Sequence, residues 1–241
     1  MAAPVKAVTF DFWNTIASVP TGAMEEARRQ AVTDACEAHG LEVEAELLAS
    51  HLDQVGESYH RSWSEGLHFH PRQGAQMLSV ALGAEGEAGE QVAAAFLGAG
   101  RGAQLELSPG IRECLQVLSE QGLRLGIVCD VGFTGGELLR EILDGEGLLT
   151  HFSGWGFSDE VGHYKPSPEI FEAALSSLGA TPAEAVHVGD LRRTDIAGAQ
   201  AIGMGTVRYR GLHDDPDPGA EADFVLGHHR DLSALVERVG R

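Results

Sequence analysis

A chain of 241 residues, 43% hydrophobic and 22% charged, favours one large α/β domain or a core carrying an insertion over two equal halves. Seventeen Lys and Arg against thirty-six Asp and Glu leave a formal charge of −19, which repels nucleic acid and anionic membrane surfaces and argues against either as a partner. No apolar run reaches the roughly 20 residues of a membrane span, and a phosphorylated substrate would need a divalent cation or a local basic group to offset the same field.

The first residues, Met1 to Lys6, run straight into a strand-like stretch, Val5 to Phe10, so the expectation is a cytoplasmic protein without a targeting segment. From about residue 18 to 106 the texture is helical: Ala27 to His39 and Leu47 to Trp63 are amphipathic, and Gly83 to Gly102 predicts a helix with loose ends. Pro109-Gly110 then opens a helix through Ile111, Leu115 and Leu118 that Gly122 ends. Strands follow at Leu123 to Cys129 and Phe152 to Phe157. A second crossover helix starts at Pro168 and closes at Gly179, and further strands lie at Ala185 to Val188, Thr206 to Tyr209 and Asp223 to Leu226. Such alternation predicts a parallel sheet flanked by helices, built from residues 1–17 and 107–241, with 18–106 as an all-helical cap inserted after strand 1. An insertion there can cover a site at the carboxyl ends of the strands. The acidic stretch His213 to Gly219 reads as a solvated connection, and Cys36, Cys114 and Cys129 as reduced, buried small residues.

Four polar stations sit at or beyond the carboxyl ends of predicted strands. Asp11 follows Val8-Thr9-Phe10, Cys129-Asp130 closes Leu125 to Val128, Lys165 lies in Gly162-His-Tyr-Lys-Pro166, and Gly189-Asp190 follows Val186-His187-Val188. Doubly wound topology brings all four to one sheet edge.

In these motifs the chain resembles the haloacid dehalogenase superfamily, whose members are mostly Mg2+-dependent phosphohydrolases with a Rossmann-like core. The resemblance covers about residues 4 to 17 and 107 to 235. Asp11 matches the nucleophile, and Asn14-Thr15 stand where Gly-Thr is usual. Cys129 replaces the Ser or Thr of the second motif, with Asp130 where Asn is frequent. Lys165-Pro166-Ser167-Pro168 matches the third motif, and Gly189-Asp190 with Asp195 the acid pair of the fourth. The resemblance implies in-line attack by Asp11 on phosphorus to give an aspartyl-phosphate. It implies Mg2+ on Asp11, the Trp13 carbonyl and Asp190, with Asp195 a further ligand or an outer acceptor. Lys165 would neutralise charge between Asp11 and the phosphoryl group. Cys129, Asp130 and Trp13 would line the phosphate site, and a small anionic metabolite would be the substrate.

Trp13 is the departure. The family's phosphatases carry there an Asp that protonates the leaving group, help typically worth about 10² to 10⁴ in rate. Three readings are open: a phosphohydrolase whose leaving group needs no acid from the core, or draws one from the polar-aromatic stretch of His60, His68 and His70 with Arg61, Trp63 and Arg72; a metal-independent 2-haloacid dehalogenase, in which Asp190 and Asp195 would crowd like charge around Asp11; or a phospho-ligand or partner-binding protein without turnover.

Overall fold

In the computed structural model, which describes residues 4–239, the chain divides into two compact units. The first comprises residues up to Ser18, Glu106–Asp130 and Leu143 onward; the second comprises Val19–Leu105 with Val131–Ile142.

The first unit holds a six-stranded sheet. Its strands are β1 (Ala7–Phe10), β4 (Arg124–Cys129), β5 (Phe152–Phe157), β6 (Ala185–Gly189), β7 (Gly205–Tyr209) and β8 (Phe224–Leu226), and every pairing is parallel in the order β5-β4-β1-β6-β7-β8. β1 and β6 are buried on both faces, as parallel strands covered by helices must be, which is why they read as continuous apolar runs. Alternation still sorts their side chains. Ala7 belongs to a cluster with Ile170, Phe171, Ala174 and Leu175 of α8 (Pro168–Leu178), while Phe10 meets Phe152 and His229. Gly154 brings α8 onto β5, since a Cβ there would lie 2.8 Å from the Ala174 carbonyl oxygen. β2 (Ala17–Ser18) and β3 (Glu106–Leu107) pair antiparallel at the points where the chain leaves and re-enters this unit. Two-residue strands are too short to show a period of two in sequence.

The second unit contains α1 (Ala23–Ala38), α2 (Ala45–Ser64), α3 (Pro71–Ala81) and α4 (Gly86–Gly98), packed through Val32, Cys36, Leu48, Val55, Leu78, Val92 and Phe96. The division by sequence, which left 131–142 with the sheet, needs correction there. Phe133 packs on this helical core beside Phe96 at 5.0 Å, the Arg28 guanidinium lies 5.3 Å from the Phe133 ring, and Arg101 pairs with Glu141 at 2.8 Å. Gly74 admits that ring, because a Cβ would meet it at 2.7 Å. Among the described residues no helix is long and apolar enough to cross a membrane.

Candidate active site

The central position of β1, flanked by β4 and β6, sets the site. The chain adds β4 and β5 on one side of β1 and β6 to β8 on the other, so the strand order reverses beside β1 and leaves a crevice at the carboxyl ends. Asp11 lies directly past β1, its N–H donating to the Val188 carbonyl at 2.8 Å. The chain then turns sharply. Ala17 N–H donates to Phe12 O at 3.1 Å and Asn14 N–H to Ala17 O at 2.8 Å, so the turn closes on either side of Trp13 and its carbonyl takes no part. Asn14 has φ 57°, left-handed backbone that Asn tolerates better than most non-glycine residues, which explains how it stands where the family uses Gly. The indole of Trp13 is half-buried, edge-on to Phe12 at 4.8 Å.

Lys165 reaches the same point from the loop before α8. Its Nζ donates to Asp11 Oδ1 at 2.6 Å and to Asp195 Oδ1 at 2.7 Å, and its own N–H donates to Asp130 Oδ1 at 2.9 Å. Asp195 sits on a π-helical turn, Arg192–Ile196, whose wider winding carries the carboxylate back beneath the strand ends. There Oδ2 accepts the Leu191 N–H at 3.0 Å, and Oδ1 also lies 3.1 Å from His187 Nε2. Gly189 makes room, since a Cβ would fall 2.7 Å from Asp195 Oδ1. One oxygen from each of Asp11, Asp190 and Asp195 falls within 4.8 Å of the others, and all three residues are buried. Cys129 is also buried.

The model of the haloacid dehalogenase-like hydrolase family matches residues 5–203. The chain belongs to this family. It is 35% identical to a glyceraldehyde 3-phosphate phosphatase of Methanopyrus kandleri over 98% of this chain and 99% of that protein. A phosphoserine phosphatase of Thermus thermophilus is 42% identical over 40% of this chain and 39% of its own. Among solved structures, a 2-haloacid dehalogenase from Pseudomonas syringae pv. tomato covers 97% of this chain and 99% of that one at 24% identity and TM-score 0.72. A phosphatase of the same superfamily from Thermococcus onnurineus covers 96% and 98% at 23% identity and TM-score 0.64. At these identities the two structures speak for the fold alone.

In this haloacid dehalogenase-like hydrolase the electrostatics of the cluster are lopsided. Burial raises the Asp11 carboxyl most; Lys165 pulls it back, Asp195 and Asp190 push it up again, and the net position is well above the usual range. Asp190 is pushed up to about 8, by burial and then by the Asp195 charge. Burial would raise Asp195 too, but Lys165 and His187 outweigh it and hold this carboxylate below its ordinary range. Desolvation would lower Lys165, yet Asp11 and Asp195 keep it firmly charged. The Cys129 thiol is raised by burial and by Asp11, so it is protonated at neutral pH and can offer only a weak S–H donor. Three buried carboxyl groups thus share one ammonium, and only Asp195 is held firmly ionised. Hard oxygen donors that a cation could hold in the charged form, beside a backbone carbonyl left out of the turn, fit a small divalent cation.

The structure brings Asp11, Lys165, Asp190 and Asp195 together and binds Asp130 to the Lys165 backbone. Two residues that sequence reasoning passed over join them. His187 is wholly buried on β6, its Nδ1 2.9 Å from Thr9 Oγ1 on β1, and burial keeps it neutral. Polar Thr9 and His187 inside otherwise apolar paired strands were the available signal. His213 places Nδ1 2.8 Å from Asp190 Oδ2. The expectation of a solvated connection at 213–219 is corrected by Asp215, which is buried and accepts the Arg192 N–H at 2.7 Å. The net charge of that stretch suggested solvent because its cationic partners, Arg192 and Arg208, lie outside it in sequence.

Proposed function

We propose that this protein is a Mg2+-dependent phosphohydrolase acting through an aspartyl-phosphate on a small phosphorylated metabolite, of which a three-carbon phosphate such as glyceraldehyde 3-phosphate is the first to try. The observation that carries the reading is the buried cluster itself: a strand-end carboxylate, Asp11, held 2.6 Å from an ammonium and backed by two further buried acids. The full-length relative with phosphatase activity supports the substrate class.

Asp11 would attack phosphorus through a carboxylate oxygen while the bond from phosphorus to the leaving oxygen breaks; water then cleaves the acyl phosphate, releasing inorganic phosphate and restoring Asp11. Asp11, Asp190 and the Trp13 carbonyl would hold the cation. When bound it would neutralise charge on the transferring phosphoryl group. Asp195 has both oxygens engaged by Lys165, His187 and the Leu191 N–H, which suits it to aim Lys165 rather than to act as a principal ligand. Lys165 would supply positive charge against an approaching phosphate, which the −19 charge of the chain otherwise repels. Cys129 and Asp130 would line the phosphate site.

The test is release of inorganic phosphate from glyceraldehyde 3-phosphate and a panel of phosphate esters and acyl phosphates, with Mg2+ or with chelator. Mg2+-dependent release is expected. Halide release from 2-haloacids without metal, or silence across the panel, would overturn the reading.

A metal-linked pH dependence follows. An unfolded Asp titrates near its ordinary 3.8, whereas folded Asp190 holds its proton to about 8. Between those values the folded state binds the extra proton, so stability falls as pH rises. Asp11 acts in the same direction, and Asp195, shifted down, contributes nothing to the slope in this window. His229, lowered to about 4 by burial, gives an opposite slope only below the histidine range. The metal-free melting temperature is therefore expected to fall from about pH 6.5 to about pH 8 and to flatten above that, and the rise produced by Mg2+ to grow over the same range. Differential scanning fluorimetry with and without Mg2+ measures both; a Mg2+ effect that shrinks with pH would contradict the ligand assignment.

A further inference from the structure

The loop after β7 is built onto the fourth-motif turn. Arg208 on β7 donates to Asp214 Oδ1 at 2.7 Å and to Glu221 Oε1 at 2.8 Å, and Arg192 donates to the Asp215 carbonyl and to Glu221 Oε2 at 3.0 Å. Asp215 accepts the Arg192 N–H through one oxygen and the Asp217 N–H, at 2.9 Å, through the other. Gly219 lets the loop close on Arg192, since a Cβ would meet Arg192 Cβ at 3.0 Å. Two arginines and a buried aspartate therefore tie the 213–221 loop to β7 and, through Arg192, to the 190–195 turn. The residue this seats against the site is His213, whose side chain is 38% exposed while that of Asp190, its partner, is 3% exposed.

An ionised carboxylate can only accept, so when Asp190 is charged the proton on this pair belongs to His213 Nδ1. That bond commits Oδ2 to the protein and leaves Oδ1 for a cation. We propose that His213 is a positioning residue for the divalent cation: it donates from Nδ1 to Asp190 and holds that carboxylate in its ligating orientation, as outer partners of metal-bound carboxylates do. This rests on the Mg2+ reading above, and it gives the 213–221 loop a purpose that its distance in sequence from the four motifs conceals.

Calorimetric titration of Mg2+ into the full-length protein at one fixed pH tests it, with His213→Ala and His213→Asn beside the wild type. Asn keeps a donor where Nδ1 stands. The expected result is a loss of affinity of about 10-fold or more in His213→Ala, substantially restored in His213→Asn, with metal-free melting temperatures alike. Wild-type affinity in His213→Ala would overturn the proposal. So would equal weakening in both variants with lowered metal-free melting temperatures, because His213 would then serve the loop and not the carboxylate. Absence of Mg2+ binding by the wild type is a separate outcome that removes the Mg2+ reading and this role with it.

Discussion

Asp11→Asn is expected to reduce phosphate release to the background of the assay and, in the metal-free protein, to raise the melting temperature. Asn keeps the shape of the side chain and removes both its charge and its nucleophilicity; losing a covalent nucleophile costs about 10⁴-fold or more. The gain in stability has a different origin. Asp11 is buried, and Asp190 and Asp195 both raise the cost of charging it. An amide pays no such cost, while Lys165 retains Asp195 at 2.7 Å. The surplus is on the order of 1 to 3 kcal/mol, set against the loss of one Lys165 partner. For a chain of this size each kcal/mol moves the melting temperature by about 2 to 4 °C. Scanning fluorimetry after chelation measures it. A lower melting temperature in Asp11→Asn would mean that the Lys165 pair stabilises the fold more than the like charges strain it.

The two halves of that expectation share one cause. On the proposed reading, a site that receives a dication and a phosphoryl group must be able to present more negative charge than its own lysine balances, and charging it would cost stability until a cation is bound. His187 moderates this without adding charge, because burial keeps it neutral while it stays bonded to both Thr9 and Asp195. Removing a surplus acid should stabilise; removing Lys165 should not.

How far the sequence reveals this depends on range. All six strands of the sheet fall where short apolar runs place them; β1 and β6 are the clearest, since burial on both faces leaves a signal in every residue of those two strands. Asp11, Lys165 and Asp190 are legible because topology sends strand ends and the loops beyond them to one edge, and Asp195 because the resemblance pairs it with Asp190 in one motif. The segment 131–142 is not, because its allegiance to the helical unit rests on contacts with residues far along the chain, Phe133 with Phe96 and Glu141 with Arg101. Nor is the seat of His213. A run such as His213-Asp-Asp-Pro-Asp is locally indistinguishable from a solvated turn until Arg192 and Arg208 are folded against it. His213 does lie just past the carboxyl end of β7, where a ligand crevice is expected, and that rule applied to every strand would have found it.

The larger unanswered demand on this site is a proton, and Trp13→Asp addresses it. Two residues past Asp11 the chain offers an indole, half-buried and edge-on to Phe12, which can donate a hydrogen bond but cannot surrender a proton at neutral pH. Wild-type turnover should therefore fall steeply as the leaving group becomes more basic, being fastest on acyl and aryl phosphates. In Trp13→Asp a carboxyl at this position would protonate the departing oxygen, so rates on alkyl phosphates should rise by about 10² to 10⁴ while those on aryl phosphates change little. The turn itself should survive, since its hydrogen bonds run through Phe12, Asn14 and Ala17 and leave the Trp13 backbone aside. The measurement is kcat/KM for both proteins across phosphate esters of graded leaving-group basicity, with circular dichroism as the check on folding. A flatter dependence in the variant identifies the missing acid as the limiting feature of the core. Parallel dependences, with the wild type already fast on alkyl phosphates, would show that another group supplies the proton, and would turn attention to the histidines at 60, 68 and 70 and to His213.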